Sequence, residues 1–507
     1  MFEGQPKGLY ALALANTGER FGYYTMIAVF VLFLKANFGW DPGTAGMVYS
    51  SFLGLVYFLP LVGGAMADKF GFGRMVTIGI FIMFMGYLLL SIPLGGGTVA
   101  VAAMVAALLM ISLGTGLFKG NLQVMVGNLY DDPKYSDKRD SGFSIFYMAI
   151  NIGALFAPTA AVKIKELAER SFGFGDNDAY HFAFAVACVS LVVSIMIYWL
   201  FRFTFRHVEG RPGANKAAGG QAAEELSPSE TRARMVALFL VFAVVIFFWM
   251  AFHQNGLTLT YFADEFTEPT STGVQSMAFD VVNLVAVIFI VYAGFSVFQS
   301  KTGKGKAVSA AVAAAAAAVL AHNYAGVGDG AVKVSAPIFQ QFNPFYVVAL
   351  TPVSMAIFGT LAKRGKEPSA PRKIAYGMIV AGVAYVIMIA ASMSLNTPAD
   401  QAAAADGAKT LVSANWLIGT YLVLTFGELL LSPMGISFVS KVAPPKYKGK
   451  MMGGWFVATA VGNLLVSVGG YLWGGLPLTV VWGVFMALCI VSAVVMFVLM
   501  RKLEKVA

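Results

Sequence analysis

Residues 8–35 read GLYALALANTGERFGYYTMIAVFVLFLK, an apolar run with Glu19 and Arg20 in its middle. A helix needs about 20 apolar residues to cross the hydrocarbon core, so this run is long enough to span. It has no small-residue cleavage site and reads as a retained span rather than a signal peptide. A charge at a span centre costs about 2.5–3.5 kcal/mol on insertion scales, so such residues persist where they pair or face water. Steps of three and four place Asn16, Glu19 or Arg20, Tyr23 and Ile27 along one stripe, with Tyr24 beside it.

The same pattern recurs along the whole chain. Spans are expected at about 8–35, 43–67, 75–93, 98–126, 142–163, 181–203, 234–263, 278–299, 305–323, 339–362, 374–394, 413–438, 451–472 and 476–500, fourteen in all. The 507 residues are 58% hydrophobic and 12% charged. A soluble domain carries about 25% charged residues, so an all-α integral membrane protein is expected, with the lipid bilayer as its main partner. No polar segment is long enough for a soluble catalytic domain. Cys188 and Cys489 lie inside apolar runs and read as small core residues, not as a disulfide or metal site. The four histidines, His181, His207, His253 and His322, are scattered. No metal site, cofactor or catalytic cluster is therefore expected, which argues against a membrane enzyme. No short repeated pore motif suggests a channel.

Charge placement sets the orientation. With an even number of spans and the N-terminus inside, only Lys35, Lys163, Lys165, Arg170, Lys333 and Lys409 fall in outer loops, and Arg20 and Lys119 lie within spans. The rest of the 35 Lys and Arg fall inside, among them Arg202, Arg206, Lys301, Lys304, Lys306, Lys363, Arg364, Lys446, Lys448 and Lys450. This is the positive-inside pattern, so both termini are expected in the cytoplasm. It also explains the net charge of +9 without nucleic acid. Residues 204–231 are polar and rich in Gly and Ala, and they read as a linker dividing six spans from eight. The expected domains are an N-terminal six-helix bundle (1–203), a cytoplasmic linker (204–232) and a C-terminal six-helix bundle (233–507). The C-terminal bundle carries an inserted hairpin at about 273–325. The hairpin is expected to pack on the outside of its bundle as a lipid-facing spacer. Two six-helix halves with a site between them near the midplane are the plan of major facilitators.

Further polar residues sit within the spans. Span four carries Lys119 in GTGLFKGN, span five carries Tyr147 and Asn151 one turn apart, and span twelve carries Glu428 in FGELLLSPMG. Span seven places Trp249, His253, Gly256 and Thr260 at helical spacing, and Asn343-Pro344 opens span ten. Both signs of charge with amides and aromatics suit a small polar zwitterion. On the structural alternative, Lys119–Glu428 and Glu19–Arg20 are buried pairs that only hold helices together, and the amides are interhelical glue. Ionisable groups in mid-span favour function, and Lys119 with Glu428 is expected to form a functional pair facing a central cavity.

These residues also carry a family resemblance. The hexapeptide from Glu19 to Tyr24 (ERFGYY) resembles the first-helix motif of the proton-dependent oligopeptide transporters, a family of the major facilitator superfamily. GGAMAD at 63–68 followed by Gly71 resembles the superfamily's loop between helices two and three. GLFKGN around Lys119, Arg139-Asp140-Ser141-Gly142-Phe143 with Tyr147, Asn151 and Gly153, and Phe248-Trp249 with Gln254 and Gly256 are similar to later motifs of the same family. So are Asn343-Pro344, GELLLSPMG with Ser432 and then Lys441, and Trp455 with Thr459. The resemblance covers nearly the whole chain except the hairpin. It implies the major facilitator fold and import of di- and tripeptides by proton symport through alternating access; a monomer in a bacterial-type inner membrane is expected. It implies that Lys119 holds the peptide carboxylate, that Asn151, Asn343 and Glu428 receive the amino end, and that Tyr23, Tyr24, Tyr57, Trp249 and Trp455 line pockets. Arg20, Tyr147, Ser432 and Thr459 complete the expected substrate site.

The chain departs from the family at three charged positions. Asn16 stands where the family has Glu, Ile27 where it has Arg, and His253 where it has an acidic residue. The last two would pair in the family, and losing both partners together avoids stranding a buried charge. Glu19, Glu428 and His253 remain as proton-coupling candidates. An ordinary histidine titrates near pH 6.5, so His253 is expected to gate the outer side through its protonation, or else to be a neutral histidine hydrogen-bonded to a neighbouring helix. The alternative function is a major facilitator relative with another small polar or peptide-like substrate, or with non-proton coupling.

Overall fold

The computed structural model describes residues 4–210, 227–328, 330–444 and 447–506. Residues 211–226 of the expected linker and Lys446 lie outside the described residues. So do the side chains of Asp140 and Ser141 in the fifth-span motif and that of Lys448.

Among the described residues, fourteen helices are long and apolar enough to cross a membrane. In order they are Lys7–Phe38, Pro42–Phe70, Phe72–Leu90, Thr98–Asn128, Gly142–Phe172, Asp176–Leu200 and Pro228–Glu265, then Val281–Gln299, Gly303–Val327, Ala336–Lys363, Ala370–Ala391, Asn415–Val439, Lys450–Trp473 and Leu478–Glu504. They match the fourteen expected spans, with ends shifted by a few residues. The shifts follow local caps, which apolar content does not reveal. Span one runs on to Gly39, which takes the left-handed conformation (φ 63°) and returns its N–H to the Lys35 carbonyl. Span two starts early because Asp41 caps the backbone N–H groups of Gly43 and Thr44, with Pro42 at the first helical position. Span seven starts at a capping box between Ser227 and Glu230.

Span seven is not one continuous helix. It is regular to Phe252, tightens to a 3₁₀ turn over His253–Gly256, and restarts at Thr258 after Leu257 at φ −122°, ψ −90°. The expected stripe from Trp249 to Thr260 is therefore broken. Helical spacing assumes an unbroken ladder, and here the Thr260 hydroxyl instead donates to the Asn255 carbonyl. Span thirteen breaks in the same way, between Leu464 and Ser467.

The chain forms two compact units. The first comprises Met1–His253 with Val439–Tyr471. In it span one packs on spans five and six, span three on span four, and span thirteen on spans two and seven. Small residues set these approaches: a methyl at Gly63 would fall 2.1 Å from the Gly116 carbonyl oxygen, so spans two and four touch backbone to backbone.

The second unit comprises Gln254–Phe438 with Leu472–Lys505. Spans eleven and fourteen pack together, and spans eight and nine form the hairpin. Two polar pairs clip the hairpin: Ser309 donates to Ser296 at 2.8 Å and Asn323 donates to Asn283 at 2.7 Å. Span eight is tied to span ten by the Tyr292 hydroxyl on the Val348 carbonyl. In span nine Ala316 is the one buried residue among those described, as expected of an alanine helix with little apolar face to bury. The loops flanking the hairpin add a two-stranded antiparallel ribbon, Thr270–Ser271 with Val332–Lys333.

Candidate functional site

The first unit holds most of the expected residues in two groups. In span one, Arg20 donates both Nε and a terminal nitrogen to the two oxygens of Glu19, and both side chains are buried. The Arg20 guanidinium also lies 4.7 Å from the centre of the Tyr23 ring. Tyr23 in turn packs edge-on against Tyr24 at 5.2 Å and stacks on Phe52 at 6.2 Å. Glu19 and Arg20 thus neutralise each other within one turn.

The second group centres on Lys119. The close approach of Gly116 to spans two's Leu59 and Gly63 brings span four against span two. One turn further, the Lys119 ammonium sits 4.2 Å from the centre of the Tyr57 ring. His253 also meets Tyr57: its ring lies 6.1 Å from that of Tyr57 and 5.3 Å from that of Trp249. Its Nδ1 faces the Trp249 carbonyl at 3.2 Å. No ion pair joins Lys119 to an acid among the described residues of this unit. Lys119 is thus a basic group with no acidic ion-pair partner among the described residues of this unit.

The remaining residues of this unit are placed less directly. Tyr147 is half-exposed, while Asn151 is buried and donates its Nδ2 to the Tyr147 carbonyl one turn back. Thr459 is buried and donates to the Trp455 carbonyl, and Trp455 packs against Phe242. Asn151 and Thr459 therefore spend donor capacity on their own helices, which sequence spacing does not reveal.

The second unit holds the acidic part. Asn343 donates its Nδ2 to Glu428 at 2.9 Å and to the Thr425 hydroxyl at 3.1 Å. Ser432 follows Glu428 by one turn of span twelve. Glu428 has an amide partner here and no ion pair among the described residues. Lys119 and Glu428 belong to different units. Two residues were missed from the sequence. Thr425 lies three residues before Glu428, and Asn463 continues the Trp455–Thr459 spacing by one more turn. Helical periodicity was the signal available for both. No group of three or more His, Cys, Asp or Glu among the described residues could hold a metal ion.

Fourteen helices of membrane-crossing length among the described residues, with charges of both signs inside them, fit a membrane transporter. The sequence model of the POT family matches residues 73–219 and 321–471. The chain is 30% identical to the uncharacterized transporter YclF of Bacillus subtilis (strain 168), over 99% of this chain and 95% of the relative. It is 27% identical to a di-/tripeptide transporter of Lactococcus lactis subsp. lactis (strain IL1403), over 92% and 89%. A crystal structure of a POT family transporter in complex with 5-aminolevulinic acid superposes with a TM-score of 0.75 at 21% identity, covering 99% of this chain and 98% of the other. The chain belongs to the POT family.

Proposed function

We propose that this protein is a secondary active transporter that imports di- and tripeptides by proton symport through alternating access, with no cofactor beyond the coupling proton. The observation that carries the reading is the pair of opposite intramembrane charges without ion-pair partners among the described residues, Lys119 on Tyr57 and Glu428 on Asn343. As the family resemblance implies, Lys119 takes a peptide carboxylate and Glu428 a peptide ammonium. An intramembrane charge held unpaired is retained for function more often than for stability. The di-/tripeptide transporters among the relatives support the same substrate class. Arg20, Tyr23, Tyr24, Tyr57, Tyr147, Asn151, Trp249, Ser432, Trp455 and Thr459 complete the substrate contacts. Glu19, Glu428 and His253 are the groups to carry or gate the proton.

The protein acts as a monomer in a bacterial inner membrane with both termini in the cytoplasm. Its plan is the six-helix bundle 1–203, the linker 204–232 and the bundle 233–507 with its inserted hairpin at about 273–325. Radiolabelled dialanine uptake into proteoliposomes tests the function. Saturable accumulation driven by an imposed inward proton gradient, and lost with a protonophore, is the expected result. Uptake that ignores the gradient would remove the proton from the mechanism, and no saturable uptake of any di- or tripeptide would remove the substrate.

A further inference from the structure

Among the buried polar atoms of the first unit that have no hydrogen-bond partner among the described residues are both polar atoms of the Asn463 amide, Nδ2 and Oδ1, and the Nε1 of Trp249. Asn463 is wholly buried and Trp249 is 7% exposed. Buried amides and indoles find partners in the great majority of cases, so orphans require an explanation.

The packing of span thirteen sets Gly462, the neighbour of Asn463, against Trp249. A methyl at Gly462 would lie 2.8 Å from Cβ of Trp249 and 2.6 Å from the Ile246 carbonyl, so position 462 faces span seven. The Leu464 side chain and the Ala460 carbonyl lie against Gly54, so positions 460 and 464 face span two. Successive helical residues turn by about 100°. Asn463 therefore points between those two directions, into the wedge bounded by spans two and seven. Span seven contributes Trp249 to that wedge, and the Tyr57–His253 contact joins the same two spans. The nearest hydroxyl on span thirteen does not fill the need, because Thr459 donates to the Trp455 carbonyl.

We propose that this wedge is a built water site. One internal water accepts from the Trp249 indole N–H, accepts from Asn463 Nδ2 and donates to Asn463 Oδ1. That satisfies all three orphan atoms and gives the water three hydrogen bonds, the usual number for a buried water. Its second O–H remains for the side of the wedge that holds Tyr57 and His253. The two donors and one acceptor match water and do not match a cation, which needs several oxygen ligands. Asn463 is thus a positioning residue for Trp249: it holds the indole through solvent. A bridge of this kind can break and re-form as span thirteen moves on span seven, which a direct bond would resist. The site does not depend on which substrate is carried.

The full-length wild-type protein in nanodiscs gives the first test. A structure at a resolution that shows ordered solvent should place a water within hydrogen-bond distance of both Trp249 Nε1 and the Asn463 amide. A direct protein partner for the amide, or a wedge filled by apolar side chains, would overturn the proposal. Ultraviolet resonance Raman gives the second test. The spectrum of the wild type minus that of Trp249→Phe isolates Trp249 and should show a hydrogen-bonded indole N–H. The same difference taken in an Asn463→Leu background should shift to the free N–H position. A free indole in the wild type, or a bonded one that Asn463→Leu leaves unchanged, would equally overturn it.

Discussion

The Lys119 ammonium rests 4.2 Å from the centre of the Tyr57 ring and has no ion pair with an acid among the described residues. An aromatic face steadies a cation without neutralising it, by about 0.5–2 kcal/mol. Lys119→Ala should abolish driven uptake while the protein still reaches the membrane. Tyr57→Leu should raise the half-saturation concentration roughly twofold to thirtyfold, whereas Tyr57→Phe, which keeps the ring, should stay close to wild type. Initial rates against dialanine concentration in proteoliposomes measure both. An unchanged Tyr57→Leu would show that the ring does not position the ammonium.

Glu428 accepts from Asn343 at 2.9 Å, so its charge and its structural contact can be separated. Glu428→Gln keeps an oxygen for Asn343 but removes the charge. It should retain wild-type thermal stability and lose driven uptake, as should Glu428→Ala. Normal uptake by both Lys119→Ala and Glu428→Ala would end the zwitterion reading.

The Glu19–Arg20 pair is buried and bidentate. Removing one partner of such a pair costs about 3–5 kcal/mol because the other is left charged and buried. Glu19→Gln and Arg20→Met should each lower the unfolding temperature in detergent. The double variant should lose clearly less than the sum of the two. Additive losses would mean that the two side chains are held independently by their surroundings.

His253 stands at the turn that interrupts span seven, enclosed by Tyr57, Trp249 and Phe252. His253→Gln keeps a polar side chain and removes titration. It should change the pH profile of driven uptake and leave peptide exchange intact. A wild-type pH profile in the variant would make the histidine structural and assign the proton to Glu19 or Glu428.

Asp41 caps span two from the loop between spans one and two, where the hydroxyl and backbone N–H of Thr44 hold its carboxyl below the usual range. A depressed folded pKa means that the cap stabilises above the unfolded value of about 3.9 and fades as pH falls through the lower folded value. Asp41→Ala should cost about 0.5–2 kcal/mol at neutral pH. The difference from wild type in thermal unfolding should narrow as the pH is lowered below 4. A constant difference across that range would mean that the carboxylate charge has no part in the cap.

The polar site was legible residue by residue but not as an arrangement. Lys119, Glu428 and the Glu19–Arg20 pair announce themselves because a charge inside an apolar run is costly wherever the helix sits. The partnership of Lys119 with Tyr57 could not be read, because it depends on the glycine contact that seats span four on span two. The back-bonds of Asn151 and Thr459 were equally hidden, since a side chain's choice between its own helix and a neighbour is made by packing. Asn463 was overlooked because one amide in an apolar run is ordinary glue until its partners are counted.

Length and apolarity alone determined fourteen spans, because a bilayer accepts only helices of about 20 residues with their backbone bonds closed internally. Composition likewise determined that the working residues are few and stand out. Tertiary structure alone decided where spans seven and thirteen break, at His253–Gly256 and between Leu464 and Ser467. It also decided that span thirteen packs with spans two and seven in the first unit. Apolar side chains favour burial without naming a neighbour. The choice of neighbour rests on the shapes that meet at each contact, and those exist only once the helices have packed.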